Sequence, residues 1–264
     1  MKSLDKVRGF LLDMDGTFYL GDALLPGAAH FLDVLAAQGK EYLFLTNNSS
    51  QNRLSYARKF TCLGLSIPED KILTSGEATV RYLKNTSRAR RICVVGTLDL
   101  ESEFQEAGYT LDTKTPEFVV LGFDTTLNYA KLVKLCDLVR AGLPYIATHP
   151  DFNCPTETGL VPDIGAMIAF VKASTGREPD QVIGKPNRWI VESASQKLGL
   201  ALDDLAMVGD RLYTDIALGQ TSGILTVLVL SGETSAVEAA SSPHHPDAIF
   251  EDIGALADWL EEHG

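Results

Sequence analysis

Short apolar runs alternate along the chain with stretches in which apolar residues recur every three or four positions. Phe10–Leu12, Tyr42–Leu45, Ile92–Val95, Phe118–Leu121, Tyr145–Ala147 and Leu205–Val208 are continuous apolar runs, and Leu225–Leu230 is apolar apart from Thr226. That is the pattern of strands buried on both faces of a parallel sheet. Between them, Ala28–Ala37, about Asn52–Leu63, Glu77–Leu83, Glu101–Ala107, Tyr129–Arg140, Ala166–Ser174, Trp189–Leu198 and Ile253–Glu261 carry helical spacing. Most of these stop just before a glycine (Gly39, Gly64, Gly108, Gly142, Gly176, Gly199), which suits a left-handed helix end. The alternation predicts an α/β fold resting on a doubly wound parallel sheet.

The texture changes at Asn85-Thr-Ser-Arg-Ala-Arg-Arg91, a polar and basic link. The alternation that follows is complete enough to stand as a smaller α/β unit, and from about Gln181 the chain regains its earlier character. Residues 1–84 and 181–264 are therefore expected to form one discontinuous core, and residues 85–180 a second, inserted domain. The length of 264 residues fits two domains of moderate size. Val95-Gly96-Thr97 lacks the further glycines of a dinucleotide fingerprint. The polar segment Thr148–Gly165 is long for a connection and is expected to be functional.

Formal net charge is −12, from 35 acidic and 23 basic residues, which argues against a nucleic-acid or anionic-membrane surface. Four widely spaced cysteines suggest reduced thiols in a cytoplasmic protein, not a disulfide frame or zinc site. Neither an N-terminal apolar leader nor a span of roughly 18 apolar residues is visible.

Candidate chemistry gathers at strand ends. Asp13 and Asp15 follow the first apolar run, separated by one residue and followed by Gly16. Alternation would send both carboxylates in similar directions, and two adjacent carboxylates need a cation, a shared proton or water. An ordinary Asp-Gly turn accounts for them equally well. Thr46 and Asn47 follow the second run and precede a helix, as an anion cradle or as plain helix capping. Lys185 follows Val182-Ile183, and Asp210 and Asp215 follow Leu205–Val208. On neighbouring parallel strands of one sheet, these residues would line a single crevice. Carboxylates, a lysine, a hydroxyl and a helix N-terminus suit Mg²⁺ and a phosphoryl group, whereas the scattered histidines do not suit zinc.

Asp13-x-Asp15-Gly16-Thr17, Thr46-Asn47, Lys185-Pro186 and Gly209-Asp210-x4-Asp215 resemble the four motifs of the haloacid dehalogenase-like superfamily. Thr46-Asn-Asn-Ser49, Thr74-Ser-Gly-Glu-Ala78 and Gly184-Lys-Pro186 resemble its branch typified by NagD and para-nitrophenyl phosphatases, whose members carry a large cap between the second and third motifs. The resemblance covers essentially the whole chain. It implies a Rossmann-like core with an inserted cap, and a Mg²⁺-dependent phosphatase acting on a small phosphorylated metabolite. Asp13 would be the nucleophile, giving an aspartyl-phosphate, and Asp15 the general acid and base. Mg²⁺ would sit on Asp13, the Asp15 carbonyl and Asp210. Thr46 and Asn47 would hold phosphate oxygens, Lys185 would offset charge, and Asp215 would hold Lys185 or a metal-bound water. From the cap, His149, Asp151 and Asn153 are candidates for the leaving-group side, and dimerisation through the cap is plausible by resemblance. His149 departs from the family's usual Asn, and Asp163 stands where the family often has Gly, so no relative's substrate carries over directly. A phosphomutase or phosphotransferase using the same covalent chemistry, and a phospho-binding regulatory module without turnover, remain alternatives.

Overall fold

A computed structural model of the chain describes residues 3–156 and 159–264. Met1 and Lys2, together with Glu157 and Thr158 from the polar 148–165 segment, lie outside the described residues. The chain divides into two compact units. One comprises Met1–Thr46, Tyr56–Leu73 and Lys185–Gly264, the other Asn47–Ser55 and Thr74–Gly184.

Among the described residues, the first unit is built on a six-stranded sheet in the order Ala248–Phe250, Leu225–Val229, Leu205–Gly209, Gly9–Leu12, Glu41–Thr46, Ile72–Thr74. Gly9–Leu12 runs parallel to both neighbours, with Phe10 opposite Ala206 on one side and Tyr42 on the other. Counted along the chain, the order is 3-2-1-4-5-6. The strand sequence reverses between Gly9–Leu12 and Leu205–Gly209, and such a switch point opens a crevice at the carboxyl ends of the strands. All four residues of Gly9–Leu12 are buried, as its unbroken apolar character requires.

One face of this sheet carries Phe10, Leu12, Phe44 and Val208, which pack with Phe18, Phe31 and Phe60. The Phe18 ring meets Phe44 edge-on at 4.8 Å, and Tyr19 meets Phe60 at 5.8 Å. Each such buried side chain contributes about 1.5–3 kcal/mol. These rings anchor the stretch just beyond Asp13–Gly16 and fix the turn above them.

The second unit has its own five-stranded parallel sheet among the described residues, ordered Gln181–Val182, Tyr145–Ala147, Phe118–Leu121, Arg91–Val95, Thr110–Leu111. Cys93, Val95, Val119, Leu121, Leu135 and Val139 form its core. The polar 148–165 segment is partly regular, because Asn153–Thr156 pairs antiparallel with Gly159–Pro162. Several helices begin earlier than their apolar spacing suggests. Thr74, Thr97 and Asp163 each accept a hydrogen bond from a backbone N–H of the helix that follows, so Ser75–Thr86, Leu98–Glu106 and Ile164–Thr175 start beside their caps.

Two boundaries differ from expectation. Val182 pairs with Ala147, so Gln181–Val182 extends the second sheet instead of opening the core's last segment. Helix Ser75–Thr86 groups with the second unit rather than the first. Glu103 of helix Leu98–Glu106 accepts a hydrogen bond from Thr74 Oγ1 at 2.9 Å, and its other oxygen presses against Gly76, where no Cβ would fit. Among the described residues, no helix is long and apolar enough to cross a membrane.

Glu103 is buried, and its second oxygen has no hydrogen-bond partner. Burial, with Glu77 and Asp99 adding to it, pushes the carboxyl from an ordinary 4.5 up to about 8 against the pull of Thr74 and Arg53. The folded chain thus holds this proton more tightly than the unfolded chain. Its contribution to stability is complete below about pH 4.5 and is lost as pH rises towards 8. Thermal unfolding of Glu103→Gln across that range should show Tm raised above wild type at the alkaline end, with the difference closing at the acid end. A constant difference would mean that Glu103 does not titrate between the two states.

Candidate active site

Asp13 is the first residue past its strand, and its N–H donates to Val208 O at 2.9 Å across the switch point. The chain then turns sharply at Gly16, whose φ of +83° lies in the left-handed region. Gly16 N donates to Tyr19 O, and Phe18 N to Met14 O. Because the backbone leaves the strand here, alternation does not govern Asp13 and Asp15, and their side chains part company. The Asp13 carboxylate is 14% exposed and the Asp15 carboxylate 60%. Asp15 accepts from the buried Tyr19 hydroxyl at 3.3 Å, and Lys59 Nζ lies 4.0 Å from it and 4.0 Å from the Tyr19 ring centroid.

Around Asp13 the first unit gathers a compact set of charges. Lys185, buried, donates to Asp13 Oδ1 and, at 2.7 Å, to Asp215 Oδ1. Asp215 reaches this point because the turn Leu212–Ile216 carries it back over Gly209, where a Cβ would collide with its carboxylate. Its other oxygen accepts from Arg211 N at 3.2 Å. Asp210, also buried, accepts from Glu233 N at 2.7 Å and lies 3.5 Å from Thr17 Oγ1. Gly16 and Gly232 close on it so tightly that neither could carry a side chain.

Carboxylate oxygens of Asp13, Asp210 and Asp215 all lie within 4.8 Å of one another. Burial raises the proton affinity of Asp13 most, Asp215 and Asp210 add to it, and Lys185 opposes them. Asp210 is raised in the same way, by burial and then by Asp215. For Lys185, burial would lower the ammonium, but Asp13 and Asp215 outweigh it and the net shift is upward. Arg211 is ion-paired to Glu233. Three carboxylates, Asp210 and Asp215 buried and Asp13 nearly so, share the one Lys185 ammonium. A hard divalent cation with oxygen ligands fits that donor set.

Asp13, Lys185, Asp210 and Asp215 therefore come together, whereas Lys185 arrives from the connection beyond the second unit's Gln181–Val182 strand and not from a strand of the core sheet. Thr46 ends its strand, buried. Asn47 begins the second unit. Its carbonyl accepts from Ser75 Oγ, and its Nδ2 donates to Asp151 Oδ2 at 3.0 Å. Gly184 leaves room for the Asn47 amide oxygen where a Cβ would stand 2.5 Å from it.

His149 is fully buried, with Nδ1 3.2 Å from Thr148 Oγ1 and Nε2 3.0 Å from Asp163 Oδ1. Both ring nitrogens are thus engaged inside the second unit, and Asp163 also caps helix Ile164–Thr175. Asp151 is occupied with Asn47. Asn153 is exposed on its hairpin strand. Thr17, the last residue of the first motif, belongs to the site, as do Gly232, Glu233 and Arg211, which the motifs do not single out. The signal for the 231–234 loop was available: Ser231-Gly232 follows another strand at the same sheet edge.

Lys185→Met would leave Asp13 and Asp215 facing each other without a counter-charge. Loss of one partner from a buried ion pair costs about 3–5 kcal/mol. Urea unfolding should show a loss of that size, partly recovered in Lys185→Met/Asp215→Asn. An unchanged midpoint in the single variant would mean that the carboxylates do not depend on this ammonium.

Residues 10–110 match the family model described as haloacid dehalogenase-like hydrolase, and residues 182–256 match a second model of the same kind, described as HAD hydrolase-like. A dihydroxyacetone phosphatase of Corynebacterium glutamicum is 35% identical over 97% of this chain and 93% of its own length. A solved 4-nitrophenylphosphatase of Thermotoga maritima is 47% identical, covers 97% of this chain and 98% of its own, and superposes with a TM-score of 0.95. A glycerol phosphate phosphatase of Mycobacterium tuberculosis, solved in complex with magnesium, is 30% identical over 97% of this chain and 79% of its own, with a TM-score of 0.88.

Proposed function

Because the chain belongs to the haloacid dehalogenase-like hydrolases, in their NagD and p-nitrophenyl phosphatase branch, we propose that it is a Mg²⁺-dependent phosphatase of small phosphomonoesters that works through Asp13. The observation that carries this reading is the Asp13–Lys185–Asp215 contact with Asp210 beside it. It holds one carboxylate at the topological switch point, next to two further carboxylates. The named relatives act on phosphoric monoesters, and this chain is a hydrolase of that class. Sugar phosphates, small polyol phosphates and nucleotide monophosphates are the substrate classes to examine first.

Asp13 attacks phosphorus in line, forming the Oδ–P bond as the bond from phosphorus to the leaving oxygen breaks. Lys185 pulls Asp13 towards its anionic form, in opposition to its burial, and offsets the charge that develops on the phosphoryl oxygens. Asp15, exposed and steadied by Tyr19 and Lys59, gives its proton to the leaving oxygen. The same carboxylate then takes a proton from the water that attacks phosphorus and releases Asp13. Thr46 Oγ1 and the Asn47 backbone N–H bind phosphate oxygens. Asp13, Asp210 and the Asp15 carbonyl would hold Mg²⁺, which when bound supplies positive charge at the phosphoryl group. Asp215 orients Lys185 through its 2.7 Å contact.

Phosphate release from a panel of phosphomonoesters, with and without Mg²⁺, tests this directly. Asp13→Asn should reduce release by roughly 10³-fold or more on every substrate while the protein stays folded. Asp210→Asn should chiefly raise the Mg²⁺ concentration needed. Release that survives in Asp13→Asn would remove the covalent route. Release that ignores Mg²⁺ would remove the metal.

A further inference from the structure

The loop Ser231–Thr234 is bonded at several points to the residues that form the charge cluster, and none of those bonds is explained by the chemistry above. Glu233 N donates to Asp210 Oδ2 at 2.7 Å, Thr234 N lies 3.3 Å from Asp210 O, and Ser231 Oγ donates to Gly16 O at 2.8 Å. Gly232 packs so closely on the Asp210 carboxylate that no Cβ fits. The loop therefore wraps Asp210 with backbone alone. The Glu233 side chain adds a further tether. One of its oxygens lies 2.9 Å from Arg211 Nε, and the other accepts from the Tyr213 hydroxyl at 2.9 Å. Arg211 directly follows Asp210, and Tyr213 lies in the turn that delivers Asp215 to Lys185.

We infer that Glu233 is a positioning residue for the divalent cation: clamped by Arg211 and Tyr213, it holds its own N–H on one oxygen of Asp210 and so presents Asp210 as a preoriented anionic ligand. The inference rests on the proposed metal site for its ligand, but on this chain's own contacts for its geometry. With one Asp210 oxygen held by the Glu233 N–H, the carboxylate is fixed in orientation before a cation arrives. Residues that orient a ligating carboxylate typically change metal affinity 10–100-fold when removed. Glu233 is 47% exposed and Arg211 21%, so the pair itself adds little to global stability and the expected effect lies at the lower end of that range.

A second account of the same contact makes the opposite prediction for one variant. If Glu233 served only to cancel the charge of Arg211, removing Arg211 would tighten Mg²⁺ binding. If Arg211 helps to hold the loop, removing it weakens binding, as removing Glu233 does.

Calorimetric titration of Mg²⁺ into the resting enzyme without substrate separates them. Glu233→Ala and Arg211→Ala should each raise the Mg²⁺ Kd about 10–20-fold, with Tyr213→Phe smaller. The double variant should be no worse than either single one, because both remove one device. Glu233→Gln keeps the size and loses the charge, and should also weaken binding. In turnover, the Mg²⁺ concentration for half-activation should rise in the same order as the Kd. An unchanged Kd in Glu233→Ala and Glu233→Gln, or tighter binding in Arg211→Ala, overturns the inference. Asp210→Asn keeps this distinct from the metal assignment. If it abolishes Mg²⁺ binding while the Glu233 variants do not weaken it, only the clamp is wrong. If it leaves Mg²⁺ binding intact, the metal site itself is wrong.

Discussion

A buried ammonium between a buried carboxylate and a nearly buried one is the constraint on which the first unit's architecture turns. Lys185, Asp13 and Asp215 come from three distant parts of the sequence and meet where almost no water reaches. Ions in such a place are tolerated only when each is paired. The pairing dictates the local backbone. The strand before Asp13 must stop at Leu12, Gly209 must lack a side chain so that Asp215 can fold back, and Gly16 and Gly232 must yield to Asp210. The apolar sheet underneath, fixed by Phe10, Phe18, Phe44 and Phe60, supplies the rigidity that keeps these like charges from relaxing apart. Asp210, beside them, takes its hydrogen bond from the Glu233 backbone at the carboxyl edge of the first unit's sheet.

Much of this was legible in the residues because parallel sheets impose a simple rule: apolar runs mark strands, and polar residues just after them mark the working edge. Asp13, Thr46 and Asp210 obey that rule, and the doubly wound order follows from it. Lys185 does not obey it. Val182-Ile183 looks like any other buried strand, and only the pairing of Val182 with Ala147 assigns it to the other sheet. Periodicity is blind to which sheet a strand joins. The fates of Asp13 and Asp15 were hidden for a related reason, since their relative direction depends on the residue at which the strand ends. His149 illustrates a third limit. In sequence it is a polar residue in a polar loop, yet it is fully buried between Thr148 and Asp163. Burial of a histidine is set by neighbours that no local pattern records.

Within the second unit, the residues after Thr46 are held by an unusual share of side-chain bonds. Ser49 Oγ lies 2.9 Å from Thr148 Oγ1 and accepts from Phe123 N, and Thr148 leads on through His149 to the Asp163 cap. Asn47 is tied separately to Asp151. Buried polar networks in which every member is satisfied specify one arrangement and resist substitution. The polar character of the 148–165 segment thus has a structural meaning besides any role towards substrate: it fixes the segment that starts at Asn47.

The pairing of Gly9–Leu12 with Leu205–Gly209 also shapes how the protein comes into being. A chain made from its N-terminus exposes its first buried strand long before one of that strand's two partners exists, because the whole of residues 74–184 intervenes. That intervening stretch contains every strand of its own sheet and can assemble while the earlier segment waits. Until then Gly9–Leu12 lacks one of its two strand partners, and an unpaired edge of that kind can template pairing with another chain. The Asp13–Lys185–Asp215 contact is completed only after the last of these elements has left the ribosome. Competence for chemistry therefore waits on contacts that no early stretch of the polypeptide can make by itself.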